Sequence, residues 1–272
     1  MKRVLVTGST DGIGRETVYK LASMGYNVIV HGRSSQRVGN TVSKIRNKYP
    51  GVLCNGIVSD FSSLKQVKRM ADEIIHRDLV PDILINNAGI IADSFELSDD
   101  GFEMTFAVNH LAHFYLTLLL IGYLPENARV INVSSMIHAT SIDLDKLNDR
   151  NSFDSVNAYS WSKLCNVLFT YKLHRILQEK KNITVNCLHP GVINTKVLMK
   201  SWGSIGSPVR EGYRMPVFAA TGPELQNVSG AYFRDGKQQR SAQVSYDEDL
   251  QDECWNRSIK MIRKAGFDVP EL

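Results

Sequence analysis

Apolar positions along this chain fall into two patterns that alternate from the N-terminus to about residue 190. Short runs that are nearly all apolar and rich in β-branched residues are typical of strands covered on both faces. Between them, apolar residues recur with helical spacing, as Leu164, Val167, Leu168 and Tyr171 do. The predicted strands are Val4–Thr7, Asn27–Val30, Val52–Val58, Ile83–Asn86, Val130–Ser134, Thr184–Leu188 and a short final one at Ala231–Phe233.

This alternation predicts the fold class. Strands and helices that repeat at this spacing form parallel βαβ units, so we expect an α/β fold. The predicted architecture is a Rossmann-type, doubly wound parallel sheet of about seven strands with helices on both faces. No repeat or linker interrupts the pattern before about residue 196, and we expect residues 1–272 to form one domain. The amphipathic stretch Asp247–Ala265 predicts a helix that either closes one side of the site or packs on the body.

Composition and charge exclude several classes of function. The net charge of +4 is spread among interleaved acidic and basic residues, without the basic tract that nucleic-acid binding favours. The four cysteines lie far apart without a C-x-x-C pair, which indicates reduced thiols and no metal site. The first strand begins almost at once, and the most apolar run, Leu116–Ile121, is shorter than the roughly 20 residues that span a bilayer. We therefore expect a cytoplasmic protein with no targeting or membrane segment.

A glycine-rich loop follows the first predicted strand directly. It reads Thr7-Gly8-Ser9-Thr10-Asp11-Gly12-Ile13-Gly14 and opens a helix. Glycines at these positions allow a tight reversal and a close approach of backbone to a pyrophosphate. The N-terminus of the helix then offers free N–H groups and the positive end of its dipole. The loop predicts a dinucleotide site.

The end of the second predicted strand bears on which dinucleotide binds. An NAD-selective site usually carries an acidic residue there, to hold the ribose hydroxyls. This strand ends in Gly32-Arg33-Ser34-Ser35 with no acid. Arg33 and the serines that follow suit the charge-assisted hydrogen bonds of a 2′-phosphate. NADP(H) is therefore favoured over NAD(H).

A tyrosine and a lysine stand four residues apart at the start of a predicted helix, and so on one face of it. A lysine ammonium beside the Tyr159 hydroxyl favours the phenolate, so Lys163 is expected to lower the pKa of that hydroxyl. The strand Val130–Ser134 delivers serine hydroxyls to the carboxyl edge of the sheet, where doubly wound folds place their chemistry. Asn109 lies within a predicted helix, where it either orients a water molecule or caps a local kink.

These motifs together resemble the short-chain dehydrogenase/reductase family, in the family's own order along residues 2 to about 195. The wider context is similar to the retinol-dehydrogenase-like branch. The matching stretches are Thr7–Gly14, Asn86-Asn87-Ala88-Gly89, Asn109 within Val108–Phe114, Ser135 with Tyr159 and Lys163, Ser162–Thr170, and Pro190-Gly191 with Thr195.

The resemblance implies roles for these residues. Tyr159 is implied as the general acid or base, with Ser135 as a hydrogen-bond donor to the developing alkoxide. Lys163 is implied to hold the ribose of the nicotinamide, and Asn109 to hold a water linked to Lys163. The family also implies a homodimer through the helices that flank the tyrosine. The implied cofactor contacts are Gly8, Ser9, Thr10, Gly12, Ile13, Gly14, Arg33, Ser34, Asp60, Phe61, Asn87, Ala88, Gly89, Tyr159, Lys163, Pro190, Gly191, Val192 and Thr195.

The segment at about 196–216 mixes apolar side chains with glycines. This composition favours a substrate lid over a surface excursion docked on the body. The resulting hypothesis is an NADP(H)-dependent oxidoreductase that transfers a hydride between the nicotinamide and a small, apolar carbonyl or alcohol. Two alternatives stay open: a non-catalytic NADP(H)-binding regulator or scaffold, and a reductase of C=C bonds. The apolar side chains of the lid are Met199, Trp202, Ile205, Tyr213 and Met215.

Overall fold

A twisted central sheet organises the chain. The computed structural model describes residues 1–178 and 182–272, with backbone only at 200–202. Within these residues, eight strands pair in the order β3-β2-β1-β4-β5-β6-β7-β8. They are β1 (Arg3–Val6), β2 (Asn27–Gly32), β3 (Cys54–Val58), β4 (Ile83–Asn86), β5 (Arg129–Val133), β6 (Thr184–Leu188), β7 (Tyr232–Arg234) and β8 (Lys237–Gln239). Neighbours are parallel except for β7 and β8, so the doubly wound sheet predicted from the sequence is confirmed.

The seven predicted strands match β1 to β7 to within two residues at each end, and β8 is additional. A two-residue turn joins β7 to β8, and both of its residues, Asp235 and Gly236, have positive φ angles of 52° and 72°. An Asp-Gly pair in this conformation is a strong hairpin signal. Because β8 is short and entirely polar, the apolar pattern did not mark it.

Helices cover both faces of the sheet, and each face has its own apolar core. Helices α1 (Gly12–Ser23), α2 (Ser35–Lys48) and α8 (Arg214–Thr221) pack on one face. The other face carries α3 (Leu64–His76), α4 (Met104–Phe106), α5 (Ala112–Ile121), α6 (Ser155–Leu177) and α9 (Glu248–Lys264), while α7 (Lys196–Trp202) follows β6.

The π-helical turn Ala107–Leu111 joins α4 to α5 into one helical stretch. Among the described residues, this stretch, Met104–Ile121, is long and apolar enough to cross a membrane by length and composition. However, 89% of it is buried inside the fold. A core helix passes the same test, and the position of this helix between α3 and α6 is that of a core helix.

Two segments that the sequence left open take defined places. Helix α9 packs on the body, since its Trp255 ring meets Phe114 of α5 edge-on with centroids 4.9 Å apart. The 196–216 segment ends inside α8, where Met215 is a buried core residue. Its earlier part lies at the surface, with Met199 and Ile205 about half exposed. The side chain of Trp202 lies outside the described residues.

Candidate active site

The glycine loop between β1 and α1 is too crowded for side chains at two of its glycines. Gly8 has φ +65°, and a Cβ there would lie 2.8 Å from the Cα of Ala88. A Cβ on Gly14 would lie 2.5 Å from both Asn87 Nδ2 and the backbone oxygen of Gly8. Glycine therefore allows the loop to close against the 87–89 segment, at the point where the strand order reverses.

A buried hydroxyl joins these two segments. Thr7 Oγ1 accepts the backbone N–H groups of Asn87 and Ala88 at 2.7 and 2.9 Å. In return, Asn87 Nδ2 donates to the Thr7 carbonyl at 2.8 Å. The structure thus brings the two predicted cofactor segments together at one edge of the sheet.

A buried histidine supports the loop from the end of β2. His31 Nδ1 accepts the backbone N–H of Gly8 at 3.1 Å, and Nε2 donates to the carbonyl of Ser59 at 3.1 Å. Burial lowers the pKa of His31 to about 4, so the ring is neutral. Phe61 stacks on this ring with centroids 4.4 Å apart and is only 5% exposed. Its side chain therefore lies in the core, whereas the resemblance implies that it contacts adenine. The neighbouring residue Asp60 is half-buried.

Basic side chains gather where α2 begins. Arg33 is exposed at the end of β2, and Ser34 caps α2 by accepting the Arg37 N–H at 3.4 Å. A groove of about 300 Å³ lies beside them and runs between α1 and α2. Sequence reasoning missed Arg37, although it stands one helical turn beyond Arg33. The residues lining the groove are Thr10, Asp11, Arg15, Tyr19, Arg37, Asn40, Thr41, Lys44 and Lys196.

The tyrosine and lysine of α6 face the end of β5. Lys163 Nζ lies 5.5 Å from the centroid of the Tyr159 ring and donates to the Val133 carbonyl at 3.0 Å. Ser135 is hydrogen-bonded to the Tyr159 hydroxyl. The neighbouring Ser134 hydroxyl is buried and donates to the Lys163 carbonyl at 2.7 Å. Of the two adjacent serines, Ser135 is therefore the one that meets the tyrosine.

Burial dominates the electrostatics of this pair. It raises the pKa of Tyr159 to about 12, although the hydrogen bond with Ser135 acts in the opposite direction. It also lowers the pKa of Lys163 to about 8. The sequence led us to expect a lowered tyrosine pKa. In the structure, desolvation outweighs the hydrogen bond with Ser135, and the hydroxyl stays protonated at neutral pH.

Asn109 lies inside the π-helical turn, so the local distortion that the sequence left as one alternative is present. Its side chain is fully engaged: Oδ1 accepts the Ile90 N–H at 2.8 Å, and Nδ2 donates to the Ile90 carbonyl and to Ser162 Oγ, both at 3.0 Å. A Cβ on Gly89 would lie 3.5 Å from both Asn109 Oδ1 and Lys163 Nζ. The predicted cofactor segment 87–89 therefore runs directly beside the catalytic candidates.

The stretch after β6 closes the site. Gly191 turns with φ +97°, and Val192 beyond it is 39% exposed. Thr195 caps α7 by accepting the Leu198 N–H at 3.3 Å. The next residue, Lys196, forms an ion pair with Asp11 of the glycine loop at 2.6 Å. The segment that follows β6 thus touches the loop that follows β1.

The fold and this site define a class of oxidoreductase. The family model for short chain dehydrogenases matches residues 2–204, and the chain belongs to the short-chain dehydrogenase/reductase family. It lies in the retinol-dehydrogenase-like branch: human retinol dehydrogenase 14 is 37% identical over 291 residues, which cover 96% of this chain and 86% of that one. Members of this family transfer a hydride between a nicotinamide cofactor and an alcohol or carbonyl group.

Solved structures agree with the fold. The structure of an uncharacterized protein from Mycobacterium paratuberculosis has a TM-score of 0.82 and 29% identity, covering 100% of this chain and 96% of that one. A blue fluorescent protein from a metagenomic library, solved in complex with NADPH, has a TM-score of 0.69 and 27% identity. That alignment covers 85% of this chain and 95% of the fluorescent protein.

Proposed function

We propose that this chain is an NADP(H)-dependent reductase of apolar aldehydes or ketones, able to run in reverse on the alcohols. One observation carries the proposal. The Tyr159 hydroxyl, hydrogen-bonded to Ser135 and beside Lys163, lies at the carboxyl edge of the sheet next to the 87–89 segment. This edge is where doubly wound folds bind a dinucleotide. The proton donor and the cofactor therefore share one cleft, formed by the glycine loop, the 87–89 segment and the Tyr159–Lys163 pair.

The residues present fit a dinucleotide. Gly8 and Gly14 let the glycine loop close on the 87–89 segment, and α1 begins at this loop, so its N-terminus is available to a pyrophosphate. When bound, the nicotinamide supplies or accepts the hydride. The residues that would hold the cofactor are Gly8, Ser9, Thr10, Gly12, Ile13, Gly14, Arg33, Ser34, Asp60, the backbone of Phe61, Asn87, Ala88, Gly89, Tyr159, Lys163, Pro190, Gly191, Val192 and Thr195.

Proton transfer falls to Tyr159. Its hydroxyl is protonated at neutral pH and, hydrogen-bonded to Ser135, can give a proton to a carbonyl oxygen. Ser135 donates a hydrogen bond to the same oxygen as negative charge develops on it. Asn109 acts by position, because its amide fixes Ile90 on one side and Ser162 of α6 on the other.

The preference for NADP(H) rests on charge. Arg33 and Arg37 stand at the start of α2, with no acid at the end of β2 to hold an unphosphorylated ribose. Lys44 and Arg15 extend the basic wall of the adjoining groove. Cations in this position form charge-assisted hydrogen bonds with a 2′-phosphate. The structural neighbour solved with NADPH is consistent with this preference.

Exposed apolar side chains support an apolar substrate. Met136 and Ile137 follow Ser135 directly, and Val156 lies one turn before Tyr159 on α6. Large apolar residues exposed together mark a ligand-binding rim more often than an ordinary surface. The name of human retinol dehydrogenase 14 points to an alcohol of this kind. The exposed apolar residues in the segments that follow β5 and β6 and at the start of α6 are Met136, Ile137, Val156, Val192, Met199 and Ile205.

The test follows NADPH and NADH absorbance with a panel of apolar aldehydes, ketones and quinones. We expect turnover with NADPH. Tyr159→Phe should lower kcat by about 10³-fold, the range of general acid catalysis, while leaving the Kd of NADPH within about threefold. The matched control is Tyr171→Phe on the same helix. That hydroxyl bonds Ser241 at 2.7 Å outside the cleft, so its loss should leave kcat unchanged.

The outcomes separate the alternatives. NADPH binding with no turnover of any panel member would favour the non-catalytic regulator. Equal turnover by wild type and Tyr159→Phe would contradict the proposed proton donor. Turnover with NADH and NADPH at similar kcat/KM would contradict the role given to Arg33.

A further inference from the structure

A second buried histidine lies between the glycine loop and the π-helical turn. His113, in the first turn of α5, is 1% exposed. Its Nε2 lies 2.8 Å from Thr7 Oγ1, and its Nδ1 lies 3.0 Å from the Asn109 carbonyl oxygen. One imidazole therefore contacts both the start of the glycine loop and the backbone of the active-site asparagine.

The partners fix where the proton sits. A carbonyl oxygen only accepts, so Nδ1 carries the hydrogen and donates to Asn109. Nε2 is then the lone-pair nitrogen, and it accepts the hydroxyl hydrogen of Thr7. Burial lowers the pKa of His113 to about 3, and the positive charge of Lys163 acts in the same direction. The ring is thus neutral, with one tautomer that satisfies both partners.

This tautomer also orients the Thr7 hydroxyl. Because the hydroxyl hydrogen points to His113, both oxygen lone pairs face away from it. They accept the N–H groups of Asn87 and Ala88 at 2.7 and 2.9 Å. The Ile85 carbonyl lies 3.4 Å from the same hydroxyl, but the His113 contact is shorter at 2.8 Å, so the imidazole sets the direction of the hydrogen.

The other end of the ring meets a distorted helix. The π-helical turn puts the Asn109 carbonyl where two side chains reach it, His113 Nδ1 at 3.0 Å and Asn166 Nδ2 at 3.0 Å. The Asn109 side chain meanwhile holds Ile90, at the far end of the 87–90 segment. His113 thus supports that segment at both ends, through Thr7 and through Asn109.

We propose that His113 is a positioning residue that fixes the 87–90 segment, and with it the cofactor cleft, at the correct position relative to the Tyr159–Lys163 pair. This rests on the proposed function, since that position matters only if cofactor and proton donor act together. His113 is buried, and its hydrogen bonds go to Thr7 and to the Asn109 carbonyl. Its effect passes through two hydrogen bonds that substitutions can separate.

Two variants remove one bond each. His113→Asn keeps an N–H donor near the position of Nδ1, so it keeps the hydrogen bond to the Asn109 carbonyl but loses the one to Thr7. His113→Gln places its amide oxygen near the position of Nε2, so it keeps the hydrogen bond to Thr7 but loses the one to Asn109. We expect His113→Asn to raise the Kd of NADPH about 10-fold with little change in kcat. We expect His113→Gln to lower kcat about 10-fold with little change in Kd.

The control is Phe114→Leu, the adjacent core residue on the same helix, which packs on Trp255 of α9. It should lower Tm as much as the histidine variants while leaving both constants unchanged. A histidine that only stabilised the fold would behave like this control. A positioning role is indicated if His113→Asn changes mainly the Kd of NADPH and His113→Gln changes mainly kcat.

A second readout needs neither cofactor nor substrate. In the cofactor-free protein, His113→Asn should speed amide hydrogen exchange at Asn87 and Ala88 relative to Phe114→Leu. Nitrogen NMR of the wild type should show the proton of His113 on Nδ1. Failure of the panel assay would defeat the proposed function and leave this measurement standing. Exchange at Asn87 and Ala88 equal to the control, or a proton on Nε2, would overturn the role of His113.

Discussion

The two sides of the cleft are built differently. On the nucleotide side, Thr7 and His31 are buried, and their hydrogen bonds hold a glycine loop whose backbone touches the neighbouring segment. On the substrate side, Met199 and Ile205 are about half exposed. There the ion pair between Lys196 and Asp11 ties the segment to the loop, with Lys196 79% exposed.

This difference matches the demands on each side. A cofactor of fixed shape suits a site that is rigid before binding, because little ordering has to occur on binding. A substrate pocket tolerates exposed, replaceable side chains, which change specificity at little cost to the fold. Substitutions should therefore have large effects on the nucleotide side and small ones on the substrate side.

The largest effect is expected at Gly14. In Gly14→Ala, the methyl group meets a backbone oxygen at 2.5 Å that cannot move aside cheaply. We expect a loss of about 3 kcal/mol in the free energy of unfolding, measured by urea denaturation, and loss of NADPH binding. The matched variant is Gly39→Ala in α2, where a Cβ meets nothing within 4 Å. Gly39→Ala should raise the free energy of unfolding by about 0.5–1 kcal/mol. Equal losses of stability in the two variants would contradict the difference expected between these positions.

Lys163 lies at the junction of the two sides, and its burial should cost stability. Its pKa falls from 10.5 to about 8, so between these values the unfolded chain binds a proton that the folded chain does not. Stability from this group therefore rises with pH across that window, and the full cost is present below pH 8.

Lys163→Met should thus lose activity but raise the free energy of unfolding at pH 7, by up to about 3 kcal/mol. The gain should shrink as the pH approaches 10.5. Lys172→Met on the same helix breaks a more exposed ion pair with Asp252 and should change stability by at most about 1 kcal/mol. A destabilised Lys163→Met at pH 7 would contradict this account.

Arg33→Ala tests the outer part of the nucleotide side. Losing a charge-assisted contact should raise the Kd of NADPH about 10- to 100-fold and leave the Kd of NADH within about threefold. Fluorescence titration with both cofactors measures this directly. Arg69→Ala, an exposed arginine on α3, should change neither value. A parallel loss for NADH and NADPH would mean that Arg33 does not read the 2′-phosphate.

The smallest effect is expected on the substrate side. Lys196→Met breaks an exposed ion pair, and such pairs contribute about 0–1 kcal/mol. We expect the KM of NADPH to change by no more than about threefold, and the change to vanish at high salt. A tenfold change that persists at high salt would place this ion pair among the strong contacts of the cleft.

Local pattern predicted most of the fold and supplied the residues of the candidate site. All-apolar runs marked β1 to β7, and the spacing of Tyr159 and Lys163 placed both on one helix face. What local pattern could not supply depends on contacts between distant residues. Neither the position of Phe61 against His31 nor the bond between His113 and Thr7, 106 residues apart, follows from spacing.

The raised pKa of Tyr159 shows the same limit. Its sequence neighbour Lys163 argues for a lowered value, but desolvation by the assembled fold raises it. The π-helical turn is a further case, because its carbonyl at Asn109 is satisfied by side chains from two helices. Sequence motifs thus identify the reactive side chains, whereas burial in the fold sets their protonation states.

Both edges of the sheet bear on how the protein behaves when crowded. An unpaired edge strand can recruit a strand from another chain and seed aggregation. At one edge, β8 is only three residues long, and its Lys-Gln-Gln side chains are exposed. At the other, Arg46 of α2 bonds the edge carbonyl of Cys54 through Nε and Nη2, at 3.0 and 2.7 Å. Strand addition is therefore limited at β8 by the length and polarity of the strand, and at β3 by the arginine that occupies the Cys54 carbonyl.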